Sequence, residues 1–414
     1  MSPKPVQRIE LSSRHLGWRL LAVVLFLALG AASISYGVMR LVNPIDPGWA
    51  EIEITTSAKS YSEDVTLLYE LGVSGTSASS ENKALATLCA QATETAWKLF
   101  NNEETVEGTP NIRYLNDHPN ETVTVDAALY KALAQVASSG DRTLYLAPAA
   151  EVYNGLFSCT DDAQTVDFDP LLDPELRTFF AEVAAFARAP EAVHLELMEN
   201  GQVCLRVSDA YLAYAAEQEI TDFIDFQWML DAFVIDYLAD ELTARGYTRG
   251  VLTSWDGYAR VLDQRPGSSY ALAIFDGQDG TARQAAVMAY SGARSIVTMQ
   301  AYPLTGADRQ RFYIRDDGEI RVPYLDTTDG LPRAAWADLT AYATDMGCAE
   351  MLMDLIPVYV AESLFDDALL QLAGKGIQTV YSRDRVVRYT DESAVWSELY
   401  ASDDATYAFE LMKP

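Results

Sequence analysis

The feature that most constrains this chain is an uncharged run of 20 residues, 20–39, reading LLAVVLFLALGAASISYGVM. Wound as a helix it would be roughly 30 Å long, the thickness of a bilayer's hydrocarbon core. Arg19 and Arg40 bracket it, and Trp18 and Tyr36 stand where interfacial aromatics gather. Basic residues concentrate ahead of the run (Lys4, Arg8, Arg14, Arg19) against a single acid, Glu10. The positive-inside rule therefore predicts a cytoplasmic N-terminus over residues 1–19 and a single-pass anchor over 20–39 in the cell membrane. The rest of the chain would lie outside. The small residues from Ala28 to Ala32 would also suit cleavage of a signal peptide. The run is longer than a usual signal core, however, and no cysteine follows it for lipid attachment, which favours an uncleaved anchor.

Beyond the anchor the charge changes sign. The whole chain carries −30, and the part after residue 42 holds 25 basic and 59 acidic residues, or −34. Such a body repels phosphate backbones and anionic lipid, which excludes a nucleic-acid partner and favours cations. The three histidines, His15, His118 and His194, stand in no ligand spacing, so a histidine-built zinc site is not expected. Cys89, Cys159, Cys204 and Cys348 form no C-x-x-C pair and read as free, buried thiols.

Pro44, Pro47 and Gly48 mark residues 43–49 as a linker, and residues 50–414 read as one extracytoplasmic domain. Alternation predicts early strands around Ile52 and Val65, and apolar residues at three- and four-residue spacing predict helices over 83–100 and after Asp126. Asp173-Pro174 is a helix start. Asn200-Gly201 is a hairpin turn between 194–198 and 203–207. A long helix is expected over 227–245, ended by Gly246, followed by strands near 251, 270–275, 285–290 and 296–299. A last helix over 366–373 precedes a pair of strands, 377–381 and 386–389. The mixture predicts an α+β or mixed α/β body with a largely antiparallel sheet.

Residues 311–361 concentrate the chemistry. A hairpin turns at Asp316-Asp317-Gly318, an acidic loop runs from Asp326 to Gly330, and a helix starts at Cys348. Glu350 and Asp354 share one face of that helix. With Asp326 they make a plausible ligand set for a hard cation, Mg²⁺ or Ca²⁺. Each residue also has a bland role: Asp326 as a turn cap, Glu350 and Asp354 on a solvated face.

Six segments then fall in a recognisable order. They are Pro110-Asn111-Ile112-Arg113-Tyr114-Leu115-Asn116, the stretch from Ile224 to Asp236, Ser254-Trp255-Asp256, the stretch from Thr298 to Tyr302, the loop from Pro323 to Pro332, and the stretch from Ala349 to Asp354. In order and spacing, over residues 50–392, these resemble the FAD:protein FMN transferases, the ApbE-like flavin transferases. Their motifs run S-E-I-S-x-L-N, I-D-L-G-G-I-A-K-G-Y-A-x-D, G-G-D, T-S-G-x-Y, H-I-x-D-P-x-T-G-x-P and A-D-A-L-A-T/S. The resemblance implies an ApbE-like, T-fold-like domain. It places cofactor contacts at Asp231, Asp256, Thr298, Tyr302 and Asp326, and a metal at Asp326, Glu350 and Asp354. The implied activity is Mg²⁺-dependent transfer of FMN from FAD to a Ser or Thr of an exported acceptor protein.

The departures cut against that activity. Glycines that would admit the dinucleotide backbone give way to Gln227, Trp255 and Met299, which are expected to fill the slot. The family lysine is Asp231, a like charge to a pyrophosphate. The family histidine is Pro323, and a Phe-Asp pair is Tyr145-Leu146. The sequence therefore predicts a flavin-transferase-like pseudoenzyme with a degenerate FAD cleft, acting as a binding or scaffold domain; the alternative is a working transferase.

Overall fold

The structure, a computed structural model, describes residues 45–265, 267–278, 281–304, 311–335, 337–361, 363–397 and 407–413. The expected anchor at 20–39 and the start of the linker lie outside the described residues. Among the described residues, no helix is long and apolar enough to cross a membrane.

The chain runs β1 (Gly48–Ile52), β2 (Val65–Leu71), α1 (Ala78–Phe100), α2 (Ile112–Asp117), β3 (Thr122–Thr124), α3 (Ala127–Ser139), α4 (Ala147–Asn154), α5 (Pro174–Arg188), β4 (Val193–Leu197), β5 (Gln202–Val207) and α6 (Asp209–Glu217). It continues with α7 (Leu230–Ala244), β6 (Gly250–Ser254), β7 (Tyr258–Val261), β8 (Tyr270–Gln278), β9 (Thr281–Tyr290), β10 (Arg294–Met299), β11 (Tyr313–Ile314) and β12 (Ile320–Arg321). The last elements are β13 (Leu339–Ala343), α8 (Cys348–Tyr359), α9 (Asp366–Gly374), β14 (Gln378–Arg383), β15 (Val386–Tyr389), β16 (Val395–Ser397) and β17 (Ala408–Leu411).

Two compact units result. The smaller, among the described residues, holds 45–48 and 71–83. In it the Glu81 carboxylate accepts hydrogen bonds from the Gly72 amide at 2.7 Å and the Ser74 hydroxyl at 2.9 Å. The larger unit, 49–70 and 84 onward, carries the candidate site.

The principal sheet has nine strands in the order β1-β2-β6-β7-β10-β13-β14-β15-β17. Its interior ladders are antiparallel, with Ile296 paired to Ala259 on one side and Tyr342 on the other. At one edge β17 runs parallel to β15. A core of Val261, Ile274, Ala286, Met288, Ile296, Tyr342 and Val380 joins this sheet to the three-stranded β16-β9-β8 sheet. Burying apolar area on this scale, at about 25 cal/mol per Å², is what holds the strands in register.

Helices α7 and α8 are tied by one carboxylate. Asp236, on α7, accepts from the backbone amides of Cys348 and Ala349 at 2.9 Å each and pairs with Arg260 at 2.5 Å. It thus caps α8 from another helix, and a Cβ on Gly347 would stand 2.3 Å from its oxygen. Among the described elements the expected hairpin at Asn200-Gly201 is present, with φ of 61° and 73°, and Asp173 caps α5. The cysteines are unbridged, three buried and Cys159 half-exposed.

Candidate functional site

Three stretches converge beside the start of α7: residues 222–231, the Ser254–Gly257 turn between β6 and β7, and Arg311. Asn116 fixes the first. Its side-chain oxygen accepts from the amides of Phe223 and Ile224 at 2.9 and 3.1 Å, and its nitrogen donates to the Ile224 carbonyl at 2.8 Å. Arg113, from the same short helix, grips Asp222 at 2.5 Å. Asn111 caps that helix by accepting from the Tyr114 amide at 2.9 Å. The segment from Pro110 to Asn116 is therefore a clamp that sets where α7 begins. Next, Gln227 turns the chain with φ of 52°, a left-handed conformation that suits glycine. Both its amide atoms are buried without a partner among the described residues. In the second stretch Gly257 has φ of 87°, and a Cβ there would meet the Thr298 carbonyl at 2.6 Å.

Asp231 lies buried in the first turn of α7. Burial, then Asp256 and Asp64, push its carboxyl up to about 8, while Arg311 and a hydrogen bond with Ser254 pull the other way. At neutral pH it keeps its proton. Asp225 is pushed to about 7 by burial first, with Asp222 and Glu151 adding to it against the backbone amides of Gln227 and Phe226. Burial and Asp256 also raise Asp64. The Tyr61 hydroxyl is raised by burial and by Asp225, Glu103, Asp64 and Asp231 around it. Arg311 answers this acidity: its Nε lies 2.9 Å from Asp256, and its Nη1 donates to the Trp255 carbonyl at 3.3 Å and the Gln300 amide oxygen at 3.5 Å. Burial works against the guanidinium charge, and Asp256, Tyr324, Tyr258 and Asp231 more than offset it.

Asp231 and Asp256 are thus brought together, but by electrostatic coupling to each other and to Arg311. Thr298 lines a small cavity of about 140 Å³ with Gly257, Gln300 and Thr340, its hydroxyl 3.1 Å from that of Thr340. Tyr302 is buried with its ring against Gly277 and its hydroxyl toward Asp338.

The expected metal triad is not assembled. Asp326 caps its own turn, accepting from the Thr328 amide at 2.7 Å, and pairs with Arg333. Asp354 pairs with Lys375 at 2.7 Å, and Glu350 sits exposed at the rim of a separate cavity. Among the described residues no group of three His, Cys, Asp or Glu side chains could hold a metal ion. The physical reason is that two of the three carboxylates are already neutralised by neighbouring cations, which the sequence spacing did not reveal. Mg²⁺ does not fit this donor set.

Trp255 also departs from expectation. It does not fill the cleft: it is 61% exposed, with its Nε1 donating to the Glu63 carbonyl at 3.2 Å. Met299 is buried as expected. Tyr61, Asp64 and Arg311 carry no local sequence signal that marks them as site residues, because nothing in their spacing points to one another.

No family model matches the sequence, and no curated protein matches it either. Solved structures do. The ApbE protein of Thermotoga maritima aligns with a TM-score of 0.54 and 14% identity, covering 85% of this chain and 97% of that one. A single-site mutant of the flavin transferase ApbE from Vibrio cholerae aligns with a TM-score of 0.56 and 13% identity, covering 84% and 98%. The chain has the mixed α+β fold of the ApbE flavin transferases.

Proposed function

We propose that this chain is a divergent flavin-transferase-like protein whose cleft no longer takes FAD, serving as a membrane-anchored binding or scaffold domain. The observation that carries this reading is the acidic lining of the cleft. Where the sequence resemblance places a lysine stands Asp231, packed with Asp256 and Asp64. A pyrophosphate there meets, in place of a lysine ammonium, a carboxyl that supplies no positive charge, and the guanidinium that would balance it is already engaged by Asp256 at 2.9 Å. Phosphoryl chemistry rests on positioning and charge neutralisation, and the described residues favour neither. The basic N-terminus and uncharged run at 20–39 support a single-pass anchor in the cell membrane with the acidic body outside, facing an exported partner protein.

Titration of the full chain with FAD, with and without Mg²⁺, tests this by flavin fluorescence and calorimetric heat. No saturable binding is expected. Micromolar, Mg²⁺-dependent binding would restore the alternative, an active Mg²⁺-dependent transferase that attaches FMN to a Ser or Thr of an exported acceptor.

A further inference from the structure

Between β1 and β2 the chain crosses residues 53–64 without regular structure, and the hydroxyls of this loop bond one another. Thr56 donates to the Ala58 carbonyl at 3.1 Å and lies 2.9 Å from the Ser60 hydroxyl, which donates to that of Ser62 at 2.9 Å. The ties from the loop to the rest of the larger unit are weak. The Tyr61 amide reaches the Thr93 carbonyl on α1 at 3.4 Å, and the Trp255 indole donates to the Glu63 carbonyl at 3.2 Å. Lys59 pairs with Glu104 at 3.0 Å, but both side chains are more than half exposed, so water and salt weaken that bond. Segments held this lightly open at a small fraction of the cost of global unfolding.

Where the loop meets the cleft, acids face acids. The loop brings Tyr61, Glu63 and Asp64; the body brings Glu103, Asp225, Asp231 and Asp256. Asp222 and Glu151 stand behind Asp225, and Arg113 is committed to Asp222 at 2.5 Å. Arg311 is the cation beside Asp231; it is committed to Asp256 at 2.9 Å, with the hydroxyls of Tyr258 and Tyr324 also facing it. Burial, then Asp256 and Glu63, raise Asp64, while burial, then Asp256 and Asp64, raise Asp231. Each ionisation therefore sets a carboxylate of the loop against one of the body, where the nearby guanidinium groups are already engaged. The contact holds with protons in place and weakens as they leave, and the lightly tied side is the loop.

We propose that residues 53–64 are a strap over the cleft, closed with Tyr61 inserted while Asp64 and Asp231 hold their protons and released when those carboxyls ionise. The strap does not depend on whether FAD binds. Amide exchange of the full chain, followed by mass spectrometry and corrected for intrinsic rates, tests it. In 53–64 the opening equilibrium should rise about tenfold per pH unit from pH 6 toward 8, because each opening frees a carboxyl to ionise. Exchange there should stay far faster than in residues 232–242 of α7, as local rather than global opening requires. Asp231→Asn should flatten the slope, and Asp64→Asn, on the loop side, should lessen it. Corrected exchange of 53–64 that ignores pH, that is as slow as in α7, or that keeps the parent's slope in both variants would overturn the strap. FAD is absent throughout, so failure here leaves the FAD titration to be judged on its own.

Discussion

Asp231→Asn is the sharpest probe of the cleft. The residue is 8% exposed, and its carboxyl is raised from the ordinary 3.8 to about 8, by burial first and then by Asp256 and Asp64. A raised acid in the folded state contributes its full stability below the unfolded value and loses it as pH climbs through the folded one. Over that interval the unfolded chain sheds a proton that the folded chain retains. At about 1.4 kcal/mol per unit, the penalty by pH 8 is on the order of 5 kcal/mol, and less if Asp256 and Asp64 share the proton. Asparagine is isosteric, keeps an acceptor for Ser254 and does not titrate. Parent and variant should therefore unfold at similar urea concentrations near pH 4. They should diverge steadily toward about pH 8, where the variant is more stable by several kcal/mol. Parallel stability curves across that range would show that Asp231 is not held neutral, and the electrostatic account of the cleft would fall.

Three further outcomes follow from the same geometry. Asp225→Asn should flatten the remaining slope up to about pH 7, read in the same urea series, because that carboxyl is also raised, to about 7, chiefly by burial. Asp236→Ala removes the cap of α8 and leaves Arg260 without its carboxylate; a loss of about 3–5 kcal/mol is expected in equilibrium unfolding. Gln227→Gly relieves a left-handed φ of 52° and deletes two buried, unpartnered amide atoms. It should raise stability by about 1 kcal/mol, and a lower urea midpoint would mean that the glutamine packs usefully.

Local signals in the sequence were enough to find most of the fold. Proline at the first position of α5, Asn200-Gly201 at the β4–β5 turn and the apolar spacing of α7 each act within a few residues, so each is legible. Helices α4 and α6 escaped, the second because Ala and Tyr alternate in it without a clear polar face. The parallel β15–β17 pair escaped because pairing across a long connection has no local signature. The site failed for the same reason. Asp354 is quenched by Lys375, 21 residues away, and Asp236 caps a helix that starts 112 residues later. Trp255 reads as a filler by size alone, yet its side chain lies on the surface, donating to the Glu63 carbonyl, 192 residues away in sequence.

Under the function proposed above, an acid at Asp231, where the resemblance expects a lysine, is compatible with the fold. Asp231 occupies the first turn of α7, where the positive end of the helix dipole disfavours an ammonium and tolerates a neutral carboxyl. A lysine there would oppose the dipole and have to earn its place by holding a phosphate. Burial, with Asp256 and Asp64 beside it, neutralises the acid by raising its pKa. The scaffold bears this change at a cost that grows toward about pH 8. Its own ties, Asn116 to the 222–224 loop and Asp236 to α8, lie on other side chains. The fold is thus readable from motif order, whereas activity depends on the sign of charge at single positions that the fold leaves free to vary.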